Sequence, residues 1–230
     1  MALRGAPHGT VILADEQTAG KGRRGRKWES PAGENIYMSL LVRPKMQPEK
    51  APMLTLVMAY CVAKALKKQG FEEVQIKWPN DLVLSGKKVC GILTEMTMDG
   101  NAIQHVIIGI GINVNNRTFP EEIKGMATSL CLESGRFIER EKIVENILAE
   151  FGEEYERFVA AGDLSQIWEA YNAMLINTGK QVCVLEPGNT YEALALGITQ
   201  EGQVRVQLAS GEEKEIFAGE VSVRGIYGYV

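Results

Sequence analysis

The sequence predicts an α/β (α+β) chain of two parts: strands and amphipathic helices over residues 1–177, then a small β-barrel over residues 178–230. Three observations carry this prediction. Apolar residues recur at helical spacing over residues 48–69 and 139–160. Asp99-Gly100, between two apolar runs, is the favoured two-residue hairpin signal. After Asn177-Thr178-Gly179 the helical period gives way to five short strands punctuated by turns, the pattern of a small barrel.

Taken in order, residues 10–14 (Thr-Val-Ile-Leu-Ala) read as a short buried strand delivering Asp15, Glu16 and Gln17 to a basic segment at residues 19–28. Residues 35–43 read as a second strand, so the basic segment hangs at one end of a sheet. Residues 48–69 place Leu54, Val57, Met58, Cys61, Val62, Ala65 and Leu66 on one helical face, with Lys64, Lys67 and Lys68 on the wet side and Gly70 as the stop. Residues 74–77 form a short strand entering Lys77-Trp78-Pro79-Asn80-Asp81, where Pro79 cannot donate to a ladder and keeps Trp78 extended.

Residues 89–98 and 102–114 should pair antiparallel about Asp99-Gly100. Gly109-Ile-Gly111-Ile-Asn113 begins like a dinucleotide fingerprint, but Val114 replaces the third glycine and no helical pattern follows, which excludes that fold. Residues 139–160 and 164–175 read as helices, the first with Ile143, Ile147, Leu148, Phe151, Tyr155 and Phe158 inside and its charges solvated. The barrel strands fall at residues 181–185, 191–198, 204–208, 214–217 and 221–223.

Composition narrows the function classes. With 45% hydrophobic and 23% charged residues the chain is an ordinary globular protein, and a net charge of −4 argues against a protein built to bind long nucleic acid. The four cysteines are scattered with no C-x-x-C pair, so neither zinc nor a disulfide framework is indicated. His8 and His105 read as structural. The first residues lack the apolar core of a signal peptide, and the longest apolar region is too short to span a bilayer, so a cytoplasmic protein with no membrane contact is expected.

Against this acidic background residues 19–28 stand out: Gly20, Gly22 and Gly25 alternate with Lys21, Arg23, Arg24, Arg26 and Lys27 and close on Trp28. Ordering each glycine costs roughly 0.5–1 kcal/mol relative to alanine, so the loop should stay mobile until an anion is bound. No G-x-x-x-x-G-K-[ST] occurs, so a phosphate would not sit on a P-loop. Asn80 with Asp81 could hold Mg²⁺ through waters, Lys88 could neutralise developing charge, Asn113 could read an adenine edge, and Trp28 offers a stacking face. Each has a bland alternative, with Lys77 and Lys88 as surface ion-pair partners, Asp81 as a turn former and Asn113 as a strand cap. Jointly they suit bringing a carboxylate against a phosphate, and acyl adenylation is the natural candidate reaction.

The segment from Gly20 to Trp28, Lys77-Trp-Pro-Asn-Asp81, Lys88-Val-Cys-Gly91-Ile-Leu93 and Gly109-Ile-Gly-Ile-Asn113-Val-Asn115 resemble, in order and spacing, the successive signatures of the biotin protein ligases, or biotin–[acetyl-CoA-carboxylase] ligases. The resemblance runs from about Gly5 to the end. It implies a catalytic domain of the class II synthetase-like type, with a mixed central sheet and packed helices, and a C-terminal SH3-like barrel. It also implies a two-step reaction, in which biotin and MgATP give biotinyl-5′-AMP and a lysine of a biotin carboxyl carrier protein then takes the biotin.

By the same resemblance Arg23 and Lys88 are the catalytic residues. Gln17, Gly20, Arg23, Lys88, Gly91 and Leu93 would bind biotin. Lys21, Arg24, Arg26, Trp28, Asn80, Asp81, Asn113, Glu220 and Arg224 would bind ATP, with Asp81 at the metal and a homodimer as the assembly. Lys21 stands where the family usually has arginine, which keeps charge but loses the bidentate fork. Family members also carry a Ser-Thr-Asn triplet before the equivalent of Gly5. The chain starts at Met1 without it and without a helix-turn-helix, so an N-terminal truncation is expected, with a non-catalytic biotin-binding or dimerising module as the alternative reading.

Overall fold

The computed structural model describes residues 2–186, 188–218, 222–225 and 229–230. A six-stranded sheet is built from β1 (Thr10–Ala14), β2 (Ile36–Val42), β3 (Gln75–Lys77), β4 (Asp81–Leu84), β5 (Lys87–Asp99) and β6 (Ala102–Ile112), in the order β1-β2-β6-β5-β4-β3. All pairings of these strands are antiparallel. Among the described residues, parallel character, and with it the mixed nature expected of the sheet, enters through isolated bridges at Ile76↔Leu175 and Lys88↔Ala127.

The predicted β5–β6 hairpin forms, but it turns one residue later, at Gly100 and Asn101, because Asp99 pairs with Ala102; a register shift lies between Thr97 and Met98. Along β6, Val106, Ile108, Ile110 and Ile112 are buried on the helix side. The two-residue period of a strand turns Ile107, Gly109 and Gly111 to the opposite face. That face is thereby stripped to backbone where the cleft forms.

Helix α1 (Met53–Lys68) lies across β3, β4 and β5 and is backed by α3 (Arg140–Ala161). Its apolar face is buried as the period requires, and α3 closes on Gly162 in the left-handed region. The solvated face expected for α3 is not what the structure has. Glu150 and Glu154 are only 6% and 3% exposed, and Lys64 bridges both, at 3.1 Å to Glu154, while Lys68 also pairs with Glu150. Lys64 is correspondingly drawn inward from the wet side assigned to it.

The second helix expected over residues 164–175 is shorter. Only α4 (Trp168–Ala173) forms; the residues before it make a turn instead, with Ile167 N donating to Leu164 O at 2.9 Å, while Leu164 N donates to Gln200 O at 2.8 Å. A short α2 (Leu130–Ser134), capped by Ser129, was not visible in the periodicity. The second sheet holds β7 (Gln181–Glu186), β8 (Asn189–Ile198), β9 (Val204–Gln207), β10 (Glu213–Ile216) and β11 (Ser222–Gly225), in the order β10-β9-β8-β7-β11. It belongs to an SH3-like C-terminal unit. The unit is fastened by Trp168 Nε1 to Ile198 O at 2.6 Å and by Trp78 Nε1 to Gly202 O at 3.1 Å.

Candidate functional site

The basic loop folds back on itself. Lys21 and Lys27 form an antiparallel bridge, Gly22 N donates to Arg26 O at 2.7 Å, and Trp28 N donates to Gly20 O at 3.0 Å. Arg24 takes a left-handed conformation (φ 59°) at the turn. The loop thus arrives at the sheet as a closed finger with its cations around a turn and its tryptophan at the base.

Trp28 lies on the bare face of the sheet. A β-carbon built on Gly111 would stand 2.6 Å from the indole, and one on Gly91 would stand 2.9 Å from it and 3.1 Å from the Lys88 side chain. These glycines exist to let a ring approach the backbone. The indole Nε1 is buried and has no hydrogen-bond partner among the described residues.

Around this ring is a cleft of about 200 Å³. Of the residues proposed from sequence, Gln17, Lys21, Arg23, Trp28, Asn80, Lys88, Gly91 and Leu93 line it. Gly20 is buried at its edge, where Gln17 accepts a hydrogen bond from Ser30 Oγ at 2.9 Å. The cleft volume is below the roughly 300–1,000 Å³ of most small-molecule sites, because Trp28 fills the floor.

Arg23 is the convergence point. Nη1 donates to Asn80 Oδ1 at 3.0 Å and Nη2 to Ala218 O at 2.7 Å, so one guanidinium joins the loop, the sheet and the C-terminal unit. Asn80 is itself oriented, donating Nδ2 to Ile92 O at 3.1 Å. Burial lowers Arg23 from its ordinary value, with Asp81 opposing and Arg24 and Arg26 reinforcing.

Lys88 is fixed at both ends. Its backbone pairs with the segment at Ala127, and its Nζ donates to Asp81 Oδ1 at 2.5 Å while lying 5.2 Å from the Trp28 ring. Burial pushes the Asp81 carboxyl up, but Lys88, Tyr229 and Lys77 together bring it below its ordinary value. Lys77 is buried rather than on the surface, and burial lowers it to about 8 despite Asp81.

Other expected residues lie elsewhere. Arg24 and Arg26 are exposed outside the cleft lining. Asn113 is buried beneath it, its Nδ2 donating to Thr128 O at 3.0 Å, so the donor expected to read a base is engaged. Arg224 is half-buried on β11 and bears electrostatically on Lys77 and Tyr229. Glu220 lies outside the described residues.

Sequence reasoning missed Glu95, Met38 and Ser39 in the lining, and Tyr229, whose Oη donates to Asp81 Oδ2. The alternation of Gly109 and Gly111 within one strand was the available signal for a stripped face; nothing marked Tyr229. Among the described residues no group of three or more His, Cys, Asp or Glu could hold a metal. Asp81 offers one carboxylate with both oxygens engaged, which does not fit a resident metal cage.

A sequence model of the biotin/lipoate A/B protein ligase family matches residues 1–113, and one of the biotin protein ligase C terminal domain matches residues 178–224. The chain is 38% identical over 227 residues to the bifunctional ligase/repressor BirA of Bacillus subtilis, covering 97% of this chain and 69% of that protein. It is 31% identical over 218 residues to the biotin–[acetyl-CoA-carboxylase] ligase of Mycobacterium tuberculosis, covering 93% and 78%. Among solved structures, a biotin protein ligase from Aquifex aeolicus in complex with biotin and ATP superposes with a TM-score of 0.86 at 33% identity, over 96% of this chain and 91% of that one.

Proposed function

This chain belongs to the biotin protein ligase family, and from that membership and the cleft geometry we propose that it is an ATP-dependent ligase that forms biotinyl-5′-AMP and passes the biotin to a lysine of a biotin carboxyl carrier protein. The observation that carries the reading is the convergence of Arg23 and Lys88 on one cleft over a glycine-floored strand face. A carboxylate and a phosphate brought to about 4 Å at an effective dielectric of ~20 repel by roughly 4 kcal/mol. Two or three charged hydrogen bonds of roughly 1.5–3 kcal/mol each offset that.

In the first step a biotin carboxylate oxygen attacks the α-phosphorus of ATP and pyrophosphate leaves. Arg23 holds the biotinyl carboxyl and the α-phosphate, and Lys88 stabilises the charge that gathers between them. Gln17, Gly20, Gly91 and Leu93 line the biotin end, where Gly91 lets the ligand approach the backbone. Lys21, Asn80 and Asp81 would hold the phosphates and the Mg²⁺ that travels with them, with Arg24, Arg26 and Arg224 as outer contributors, and Glu220 is assigned to ATP from the sequence alone. Trp28 serves the adenine and must leave the strand floor or slide along it to admit both substrates, while Asn113, its Nδ2 already donating to Thr128 O, braces the cleft from beneath. In the second step the carrier lysine amine attacks the anhydride carbonyl, AMP departs with the bonding electrons, and the amine loses a proton as the amide forms.

The division of labour forms part of the proposal, with residues 1–177 as the catalytic unit and 178–230 as the barrel. The start of the second sheet at Gln181 supports it. A homodimer in the cytoplasm is proposed with it; β1 has a free sheet edge, and among the described residues no helix is long and apolar enough to cross a membrane. Incubation with biotin, MgATP and an apo carrier domain tests the whole reading. Biotinylated carrier and biotinyl-AMP are the expected products, and calorimetric biotin binding without either product would instead make the chain a biotin-binding module.

A further inference from the structure

The last residues of the chain reach into the site. Tyr229 Oη donates to Asp81 Oδ2, and the Tyr229 ring lies under Lys77, whose Nζ is 3.7 Å from the ring centroid. The other oxygen of Asp81 accepts from Lys88 at 2.5 Å. Lys77 and Asp81 are themselves cross-strand partners on β3 and β4. Val230 follows the tyrosine to the Ser85-Gly86 turn, its Cγ2 3.5 Å from where a Gly86 β-carbon would stand. One ring from the C-terminal unit therefore touches or orders three charged side chains of the catalytic sheet.

We infer that Tyr229 is a positioning residue of the adenylating site, its hydroxyl fixing the Asp81 carboxylate and through it Lys88, and its ring seating Lys77. The inference rests on the ligase reading for the reaction it serves, but not for the contact itself. A lysine at the end of a flexible stem has many rotamers, and one hydrogen-bonded carboxylate removes most of them at Lys88. A cation over an aromatic face is held within a few ångströms without using any of its three N–H donors. Lys77 thus stays free to donate to a phosphate while its position is set. The C-terminal unit, on this view, completes the catalytic centre.

The test compares Tyr229→Phe, which removes only the hydroxyl, with Tyr229→Leu, which removes the ring as well. Tyr229→Phe is expected to lower kcat for biotinyl-AMP formation about tenfold, the loss of one charged hydrogen bond, with biotin affinity unchanged and the protein still fully folded at the assay temperature. Tyr229→Leu should lower kcat further and raise KM for MgATP. A second readout needs no turnover: trace acetylation of the substrate-free protein by acetic anhydride, read by mass spectrometry. Lys77 should acetylate several-fold faster in Tyr229→Leu and at the parental rate in Tyr229→Phe. Unchanged Lys77 labelling in Tyr229→Leu overturns the contact whatever the activity. Changed labelling with parental adenylation kinetics in both variants overturns the positioning role, as does a fall in activity that only follows the thermal midpoint. A parental protein that makes no adenylate sinks the ligase reading and this role together, and the labelling still reports the contact separately.

Discussion

Arg23 Nη1 donates to Asn80 Oδ1 at 3.0 Å, across 57 positions of sequence, and this contact holds the basic loop against the sheet. The second nitrogen of the same fork reaches Ala218 O, so the geometry needs two donors spread in a plane. Lysine supplies one compact charge without that fork. Arg23→Lys should therefore reduce adenylation roughly tenfold to a hundredfold, the worth of one or two charged hydrogen bonds, while leaving the fold intact. Pyrophosphate exchange together with a melting curve would check this; an undiminished exchange rate would remove Arg23 from the reaction.

The Trp28 indole and Gly111 occupy space that permits no β-carbon between them. Gly111→Ala should push the ring off the strand face or narrow the cleft. Overpacking of this kind costs about 1–3 kcal/mol. On that scale ligand affinity should fall about tenfold or more if the ring stays and narrows the cleft, and the thermal midpoint should fall by a few degrees as the fold bears the same cost. In the parental protein Trp28 fluorescence should shift when biotin and ATP are added, since the buried, unpartnered Nε1 gains a new environment. Titration calorimetry and emission spectra read both effects.

Lys64 is the common partner of Glu150 and Glu154 between α1 and α3. Lys64→Met leaves two buried carboxylates with Lys68 and Arg157 alone to compensate. Breaking a fully buried pair costs about 3–5 kcal/mol, and because the Lys64 side chain keeps 28% exposure about 2–3 kcal/mol is expected here. Burial pushes the Glu150 carboxyl up, but its two lysines bring it below the ordinary 4.5. A carboxylate held below its unfolded value binds fewer protons when folded, so its contribution is present above about pH 4.5 and is lost as pH falls through the lowered value. Urea melts between pH 7 and pH 3.5 should show the parental protein losing its advantage over Lys64→Met at the acid end.

The parts of the fold that repeat a local period were legible in advance: the β5–β6 hairpin from Asp99-Gly100, the buried stripe of α1, and the cluster of Gln17, Arg23, Asn80 and Lys88 from ordered motifs. What was not legible depends on partners distant in sequence. The pattern of α3 cannot say that Glu150 and Glu154 meet lysines of α1. Residues 164–167 have helical spacing, yet they close a tight turn in which Ile167 donates to Leu164 O, and Leu164 gives its own N–H to the distant Gln200. The amide of Asn113 was a candidate for a base edge because nothing in the sequence reveals Thr128 O above it. Tyr229 had no signal at all, since a tyrosine near a terminus is ordinary until the chain is folded.

The finger of residues 19–28 brings the same reasoning to its dynamics. Its internal hydrogen bonds close the turn, and among the described residues the loop meets the remainder of the protein chiefly through Arg23 and Trp28. A segment so held opens locally without global unfolding. Lys21, Arg23, Arg24, Arg26 and Lys27 are all tryptic sites, and cleavage follows the population of the open form when closing is fast. Biotinyl-AMP bound between Arg23 and Lys88 would add contacts to the closed form alone. If those contacts are worth one charged hydrogen bond, tryptic cleavage within the finger should slow about tenfold at saturating ligand. Gel or mass-spectrometric time courses with and without the adenylate decide it, and identical rates would mean that the finger does not close over the intermediate.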